Sequence, residues 1–162
     1  MHVSDRHPAV FLDRDHTLIE DPGYLNDPAQ VRLLPGVAEA IRQLGAAGYL
    51  VIVATNQSGL ARGLITDDQL AAVHKRLHEL LKAERADVDA IYHCPFLPGE
   101  AAVVEKYRGD SELRKPRPGM LLLAGALLYR SQVLLDWLQR MRLIALAVGI
   151  AAWGRPEVEL LL

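Results

Sequence analysis

A chain of 162 residues is long enough for one hydrophobic core, and 51% hydrophobic and 23% charged residues are typical of a globular domain. The net charge of −2 argues against a nucleic-acid partner, and the longest charge-free apolar stretch is too short to span a membrane. Cys94 is the only cysteine, which excludes an internal disulfide, and the first residues lack the apolar core of a signal peptide. We therefore expect one cytoplasmic domain over residues 1–162, without membrane or nucleic-acid partners.

Predicted strands and helices alternate along the chain. Apolar runs predict strands at residues 10–13, 49–54, 89–93, 132–135 and 142–148. Helices are predicted at residues 35–44, from Thr66 through an apolar stripe that reaches Leu81, and at residues 118–128. Strands that alternate with helices pair in parallel, so the expected fold class is α/β, a three-layer sandwich around a mostly parallel sheet.

Asp13 and Asp15 lie where the first predicted strand ends. Two carboxylates this close repel each other and are costly to remove from water, so burial at a strand end suggests a cation between them. One acid could then attack a substrate while the other moves protons. The pattern alone is weak, because Asp-x-Asp is also common in solvated loops.

Other polar residues lie beside the remaining predicted strand and helix ends. They are Thr55, Asn56 and Gln57 after the second strand, Arg114 and Lys115 before the third helix, and Asp136 after the fourth strand. Hydroxyl and amide groups at a strand tip can donate to phosphate oxygens. In parallel sheets, ligands bind at the carboxyl ends of the strands, so these groups are expected to share one site.

This order of motifs resembles the haloacid dehalogenase (HAD) superfamily of aspartate-nucleophile phosphatases. The motifs at residues 13–18, 23–25, 34–36, 55–59 and 114–120 are most similar to its branch of D-glycero-D-manno-heptose 1,7-bisphosphate phosphatases and histidinol-phosphate phosphatases. The resemblance implies a Rossmann-like sheet and a magnesium-dependent phosphomonoesterase that acts on a small sugar phosphate through a phosphoaspartyl intermediate. A heptose bisphosphate is the expected substrate, and histidinol phosphate is the nearest alternative.

The resemblance also implies roles for individual residues. Asp13 would attack phosphorus, and Asp15 would protonate the leaving oxygen and then activate water. Magnesium would be held by Asp13, the backbone carbonyl of Asp15, and Asp136. The expected substrate contacts are Arg14, Thr55, Asn56, Gln57, Arg114 and Lys115, with Lys115 neutralising the phosphorylated aspartate.

The chain departs from the superfamily pattern at three places. His16 replaces the glycine that usually follows the second aspartate, and its side chain would narrow the site or touch the substrate. The last motif has Leu135 and Arg140 in place of a glycine and a second acid, so a catalytically weakened protein that binds a phosphate ligand is a further alternative. Only Cys94 is left of the four ligands that hold a structural zinc in many relatives, and one ligand cannot hold zinc, so none is expected.

Three further features bear on the site and its surroundings. About twenty residues separate Asp15 from Pro35, and a similar number separate Cys94 from Arg114, which is too short for a separate cap domain. We interpret His74 and His78, four residues apart on the second helix, as partly packed side chains because no third metal ligand is evident. The C-terminal residues 154–162 differ from the superfamily and could either dock on a second copy in a homo-oligomer or fray.

Overall fold

The structure, a computed structural model, describes residues 8–128. Within them lie the first three predicted strands, all three predicted helices and every candidate site residue except Asp136. The strands predicted at 132–135 and 142–148, the altered last motif and the C-terminal tail lie outside the described residues.

A three-stranded parallel sheet forms the centre of the described part, in the order β1-β2-β3. The strands are β1 (Ala9–Leu12), β2 (Leu50–Asn56) and β3 (Ala90–Cys94). Each strand lies within a residue or two of its predicted position, and β2 continues further than predicted, to Asn56. The four β2 residues from Val51 to Ala54 are all buried, as expected for a central strand covered on both faces.

Helices cover both faces of the sheet, so the predicted three-layer α/β arrangement is confirmed for the described residues. The helices are α1 (Val37–Ala46), α2 (Asp67–Ala83) and α3 (Gly119–Leu128). On one face, Val51 and Val53 pack with buried side chains of α1 and α2. On the other face, Ile52 packs with Ala124 of α3. The alternation of side chains along β2 therefore divides the core into two halves.

Helix α2 begins at a capping box. Gln69 N donates to the Thr66 hydroxyl at 3.2 Å, and Thr66 N donates to the Gln69 side chain at 2.9 Å. The helix then buries Leu70, Val73 and Leu77 on one face, in agreement with the predicted apolar stripe. The capping box thus defines where α2 begins, and the buried stripe defines which face of the helix packs against the core. Together they determine where the other side chains of α2 lie.

The connections that follow β1 and β3 contain only short 3₁₀ turns, Pro28–Gln30 and Glu105–Tyr107. Leu18, Ile19 and Leu25 of the first connection are buried in the main core cluster. That connection is therefore part of the domain, and residues 8–128 contain no separate cap. None of the helices in this range is both long enough and apolar enough to cross a membrane.

Candidate active site

The carboxyl ends of the three parallel strands meet at one edge of the sheet, and most of the predicted site residues lie there. Asp13 and Asp15 follow β1, and Thr55 and Asn56 are the last residues of β2. Lys115 reaches the same edge from the segment before α3. The parallel register thus brings together residues that are distant in sequence.

Asp13 is the more exposed of the two paired acids. Its Oδ2 accepts a hydrogen bond from Nζ of Lys115, and its Oδ1 accepts one from Arg14 N at 2.8 Å. The Asp13 side chain is 38% exposed, whereas that of Lys115 is 13% exposed. An accessible carboxylate beside a partly buried ammonium can approach an anionic group whose charge the ammonium offsets.

Asn56 holds the backbone of Lys115 through two hydrogen bonds. Its Oδ1 accepts from Lys115 N at 3.1 Å, and its Nδ2 donates to Lys115 O at 3.2 Å. The Lys115–Pro116 peptide bond is cis. Through its two hydrogen bonds, the Asn56 amide fixes the position from which the Lys115 side chain reaches Asp13. A direct contact of Asn56 with a phosphoryl group stays a prediction.

Asp15 is held at both carboxylate oxygens. Oδ1 accepts from Arg14 Nε at 2.7 Å, and Oδ2 accepts from Gln57 Nε2 at 2.7 Å. The same Gln57 nitrogen lies 3.0 Å from the Thr55 hydroxyl oxygen. Arg14 is 1% exposed and Gln57 is 5% exposed. Arg14 and Gln57, two of the predicted substrate-binding residues, are thus buried and bond to Asp15. Their contact with a substrate stays a prediction.

His74 of α2 belongs to this site, although the sequence pattern indicated only a partly packed side chain. Its Nε2 lies 3.1 Å from Nη1 of Arg14, a residue 60 positions earlier in the chain. Burial, and to a smaller extent the neighbouring charge of Arg14, lowers the pKa of His74 to about 3. His74 is therefore neutral near pH 7, and no local sequence pattern connects it with Arg14.

His16 adopts a left-handed backbone conformation, with φ of 54°. Glycine adopts that conformation without the steric cost that a side chain brings, which explains why a glycine is common after the second aspartate. The departure at His16 therefore adds local backbone strain. Arg114, the remaining predicted contact, donates from Nη1 to the Phe96 carbonyl at 3.0 Å.

Cys94 lies in an apolar environment, packed with Ala54 and Met120. Burial raises the pKa of its thiol, which disfavours the thiolate that zinc requires. Residues 8–128 contain no group of three or more His, Cys, Asp or Glu side chains that could hold a metal ion. The predicted third magnesium ligand, Asp136, lies beyond this range.

A family model for polynucleotide kinase 3 phosphatase matches residues 9–136 of the chain. The chain is 47% identical over 119 residues to D-glycero-D-manno-heptose-1,7-bisphosphate 7-phosphatase of Thermosynechococcus vestitus, a match that covers 72% of this chain and 61% of that protein. The chain spans about three fifths of the length of the curated relatives it matches.

Two crystal structures are also similar. A HAD-like phosphatase from Mesorhizobium loti is 44% identical with a TM-score of 0.70, over 75% of this chain and 57% of that one. The D,D-heptose 1,7-bisphosphate phosphatase of B. bronchiseptica, complexed with magnesium and phosphate, is 35% identical with a TM-score of 0.63, over 78% and 65%. These findings confirm the resemblance to HAD phosphatases that the sequence motifs predicted.

The buried charge of Arg14 predicts a difference between the two acids. Asp15→Ala should lower the free energy of unfolding by about 3 kcal/mol, because it leaves the Arg14 guanidinium buried without an anion. Asp13→Ala should cost less than about 1 kcal/mol, because Asp13 is 38% exposed and the flexible Lys115 stem can carry its charge to water. Urea unfolding measures both values.

A third variant separates the lost ion pair from other effects of Asp15→Ala. Adding Arg14→Met to Asp15→Ala should recover part of the lost stability, since it removes the unpaired buried charge. Equal losses for Asp13→Ala and Asp15→Ala, with no recovery, would contradict the assignment of Arg14 as a buried charge that depends on Asp15.

Proposed function

Because the chain belongs to the polynucleotide kinase 3 phosphatase family, we propose that it hydrolyses phosphomonoesters with Asp13 as the nucleophile. The observation that supports this most strongly is the accessible Asp13 carboxylate beside Lys115, with Asp15 two residues further on. A phosphate dianion repels a carboxylate, so attack by Asp13 needs nearby positive charge. Lys115, which lies within the described residues, supplies one such charge.

The proposed reaction has two steps. The Asp13 carboxylate attacks phosphorus, and the P–O bond to the alcohol breaks as that oxygen takes a proton from Asp15. Water then gives a proton back to Asp15 and attacks the phosphorylated Asp13, which releases phosphate and restores the carboxylate. Throughout, the Thr55 hydroxyl and Lys115 ammonium would hold the transferring phosphoryl group.

Magnesium fits the donors that this edge of the sheet offers. The Asp13 carboxylate is accessible, and carboxylate and carbonyl oxygens are the ligands that this hard cation prefers. Asp13, the backbone carbonyl of Asp15 and Asp136 would hold the ion. When bound, it would offset the repulsion between the nucleophile and the phosphate.

The proposed substrate is D-glycero-D-manno-heptose 1,7-bisphosphate, because the similar bacterial proteins are named as phosphatases of this compound. Histidinol phosphate and a phosphate-binding role without efficient turnover are the alternatives, the second motivated by Leu135 and Arg140. A magnesium-dependent screen should include the heptose bisphosphate, histidinol phosphate, a nucleoside 3′-phosphate and p-nitrophenyl phosphate. Fastest turnover of the heptose bisphosphate supports the proposal, whereas tight binding without turnover supports the second alternative.

Asp13→Asn should abolish turnover of every substrate in that screen while the protein stays folded, because the amide is a far poorer nucleophile. Phosphate release measures the rate, and circular dichroism and thermal unfolding check the fold. Asp87→Asn is the matched control, because Asp87 pairs with His78 and Lys82, away from the strand ends. A folded Asp13→Asn protein with most of the wild-type rate would exclude Asp13 as the nucleophile.

Asp136→Asn should raise the magnesium concentration for half-maximal activity about tenfold or more, equivalent to about 1.4 kcal/mol. The reason is that an amide oxygen carries less charge toward the cation than a carboxylate does. A magnesium titration of the phosphatase rate measures this shift, again with Asp87→Asn as the control. An unchanged magnesium requirement would mean that Asp136 is not a ligand.

The purified protein should contain no stoichiometric zinc. Cys94 is the only cysteine, and its buried thiol has a raised pKa. Elemental analysis after dialysis against a chelator gives the zinc content directly. One zinc per chain that survives this treatment would show that other residues complete a site with Cys94.

A further inference from the structure

We propose that Arg14, Gln57 and His74 form a buried bracket that positions Asp15 and does not touch the substrate. This inference rests on the proposed function, because it assigns Asp15 the proton transfer described above. We call these three residues the Asp15 bracket. It differs from the sequence-based expectation, which included Arg14 and Gln57 among the substrate contacts and left His74 out.

Three hydrogen-bonded pairs close a ring at Asp15. Arg14 Nε lies 2.7 Å from Asp15 Oδ1, Gln57 Nε2 lies 2.7 Å from Asp15 Oδ2, and Arg14 Nη2 lies 3.0 Å from Gln57 Oε1. A carboxylate bonded at both oxygens to two side chains that are bonded to each other cannot turn freely. Each oxygen keeps a second lone pair, so Asp15 can still carry a proton toward the strand ends.

The chemistry of Arg14 determines the orientation of the Gln57 amide. A guanidinium only donates hydrogen bonds, so the Gln57 group that faces it must be the oxygen. The amide nitrogen then faces Asp15 and also lies 3.0 Å from Thr55 Oγ1. Because the Thr55 oxygen accepts that bond, its own proton is available to a phosphoryl oxygen. Gln57 thus orients the proton carrier and one phosphate donor together.

His74 completes the bracket on the far side of Arg14. Its Nε2 must accept a hydrogen bond from Arg14 Nη1, which requires the neutral ring. Burial, followed by the charge of Arg14, lowers the pKa of His74 to about 3 and keeps that ring neutral. His93 packs edge-on against it with 5.8 Å between ring centroids, and burial lowers the pKa of His93 as well. Without His74, one buried Arg14 N–H would lose its acceptor.

Burial separates the bracket from the groups expected to meet a substrate. Arg14 and Gln57 are almost fully buried, and their polar side-chain atoms already bond to protein. Asp13 is 38% exposed and Asp15 is 21% exposed. A substrate at the strand ends would therefore meet the two acids first, and the bracket would act through Asp15.

The deciding experiment compares kcat/KM for two substrates in variants of His74. This parameter covers the steps up to departure of the leaving group, where Asp15 acts as an acid. Heptose 1,7-bisphosphate releases an alkoxide that needs the proton, whereas p-nitrophenyl phosphate releases a stable phenolate that does not. His74→Leu should lower kcat/KM about tenfold or more for the heptose bisphosphate, and less than about threefold for the aryl phosphate.

Three further measurements separate positioning from structural damage or lost phosphate contact. His74→Gln, which keeps an acceptor for Arg14, should restore the heptose bisphosphate value to within about threefold of wild type. His78→Leu, one turn further along α2 and paired with Asp87, should change neither substrate. Inhibition by inorganic phosphate should stay unchanged in His74→Leu. Equal losses for both substrates, or weaker phosphate inhibition, would overturn the inference.

A measurement of stability, which needs no enzyme activity, keeps the inference testable if the proposed function fails. If the wild-type protein hydrolyses neither substrate, the phosphatase proposal is wrong, but the bracket still predicts coupling in stability. Gln57→Ala and Asp15→Ala should be non-additive in urea unfolding, with a coupling of about tenfold or more in the unfolding equilibrium constant. Additive losses would show that Gln57 does not hold Asp15.

Discussion

The arrangement of the site depends on one buried charge, the guanidinium of Arg14. At 1% exposure, Arg14 has almost no access to water, and a buried cation is stable only where an anion and further acceptors surround it. Asp15 supplies the anion, and Gln57 and His74 supply the neutral acceptors. The residue between the two acids of Asp13-Arg14-Asp15 therefore matters as well, because buried Arg14 holds Asp15 in place through an ion pair.

This constraint gives the two acids different surroundings although they are two residues apart. Asp13 faces solvent and meets Lys115, whose backbone is held by Asn56. Asp15 is held at both oxygens by buried side chains. A nucleophile must reach its target, while a group that transfers protons must keep a constant orientation. The unequal environments therefore agree with the division of roles that the superfamily resemblance implies.

The sequence predicted the elements and the place of the site because both follow from local patterns. Apolar runs and the Thr66 cap located β2 and α2 to within a few residues. Strand ends pointed to Asp13 and Thr55, and the start of the third predicted helix pointed to Lys115. The direction of the Arg14 side chain and its contact with His74 could not be predicted, because they depend on how α2 packs against the sheet. The strands and Asp136 expected beyond residue 128 stay predictions.

Helix α2 contacts both the site and the segment between β3 and α3. Asp67 in its first turn pairs with Lys106 at 2.7 Å and accepts a hydrogen bond from Tyr107, whose ring packs edge-on against Phe96. His74 lies seven residues after Asp67, two turns further along the same side of the helix. The capping box fixes where α2 begins. The helix therefore contacts that segment through Asp67 in its first turn and contacts Arg14 through His74, two turns later. The segment is thus anchored to α2 by side-chain contacts of Lys106 and Tyr107.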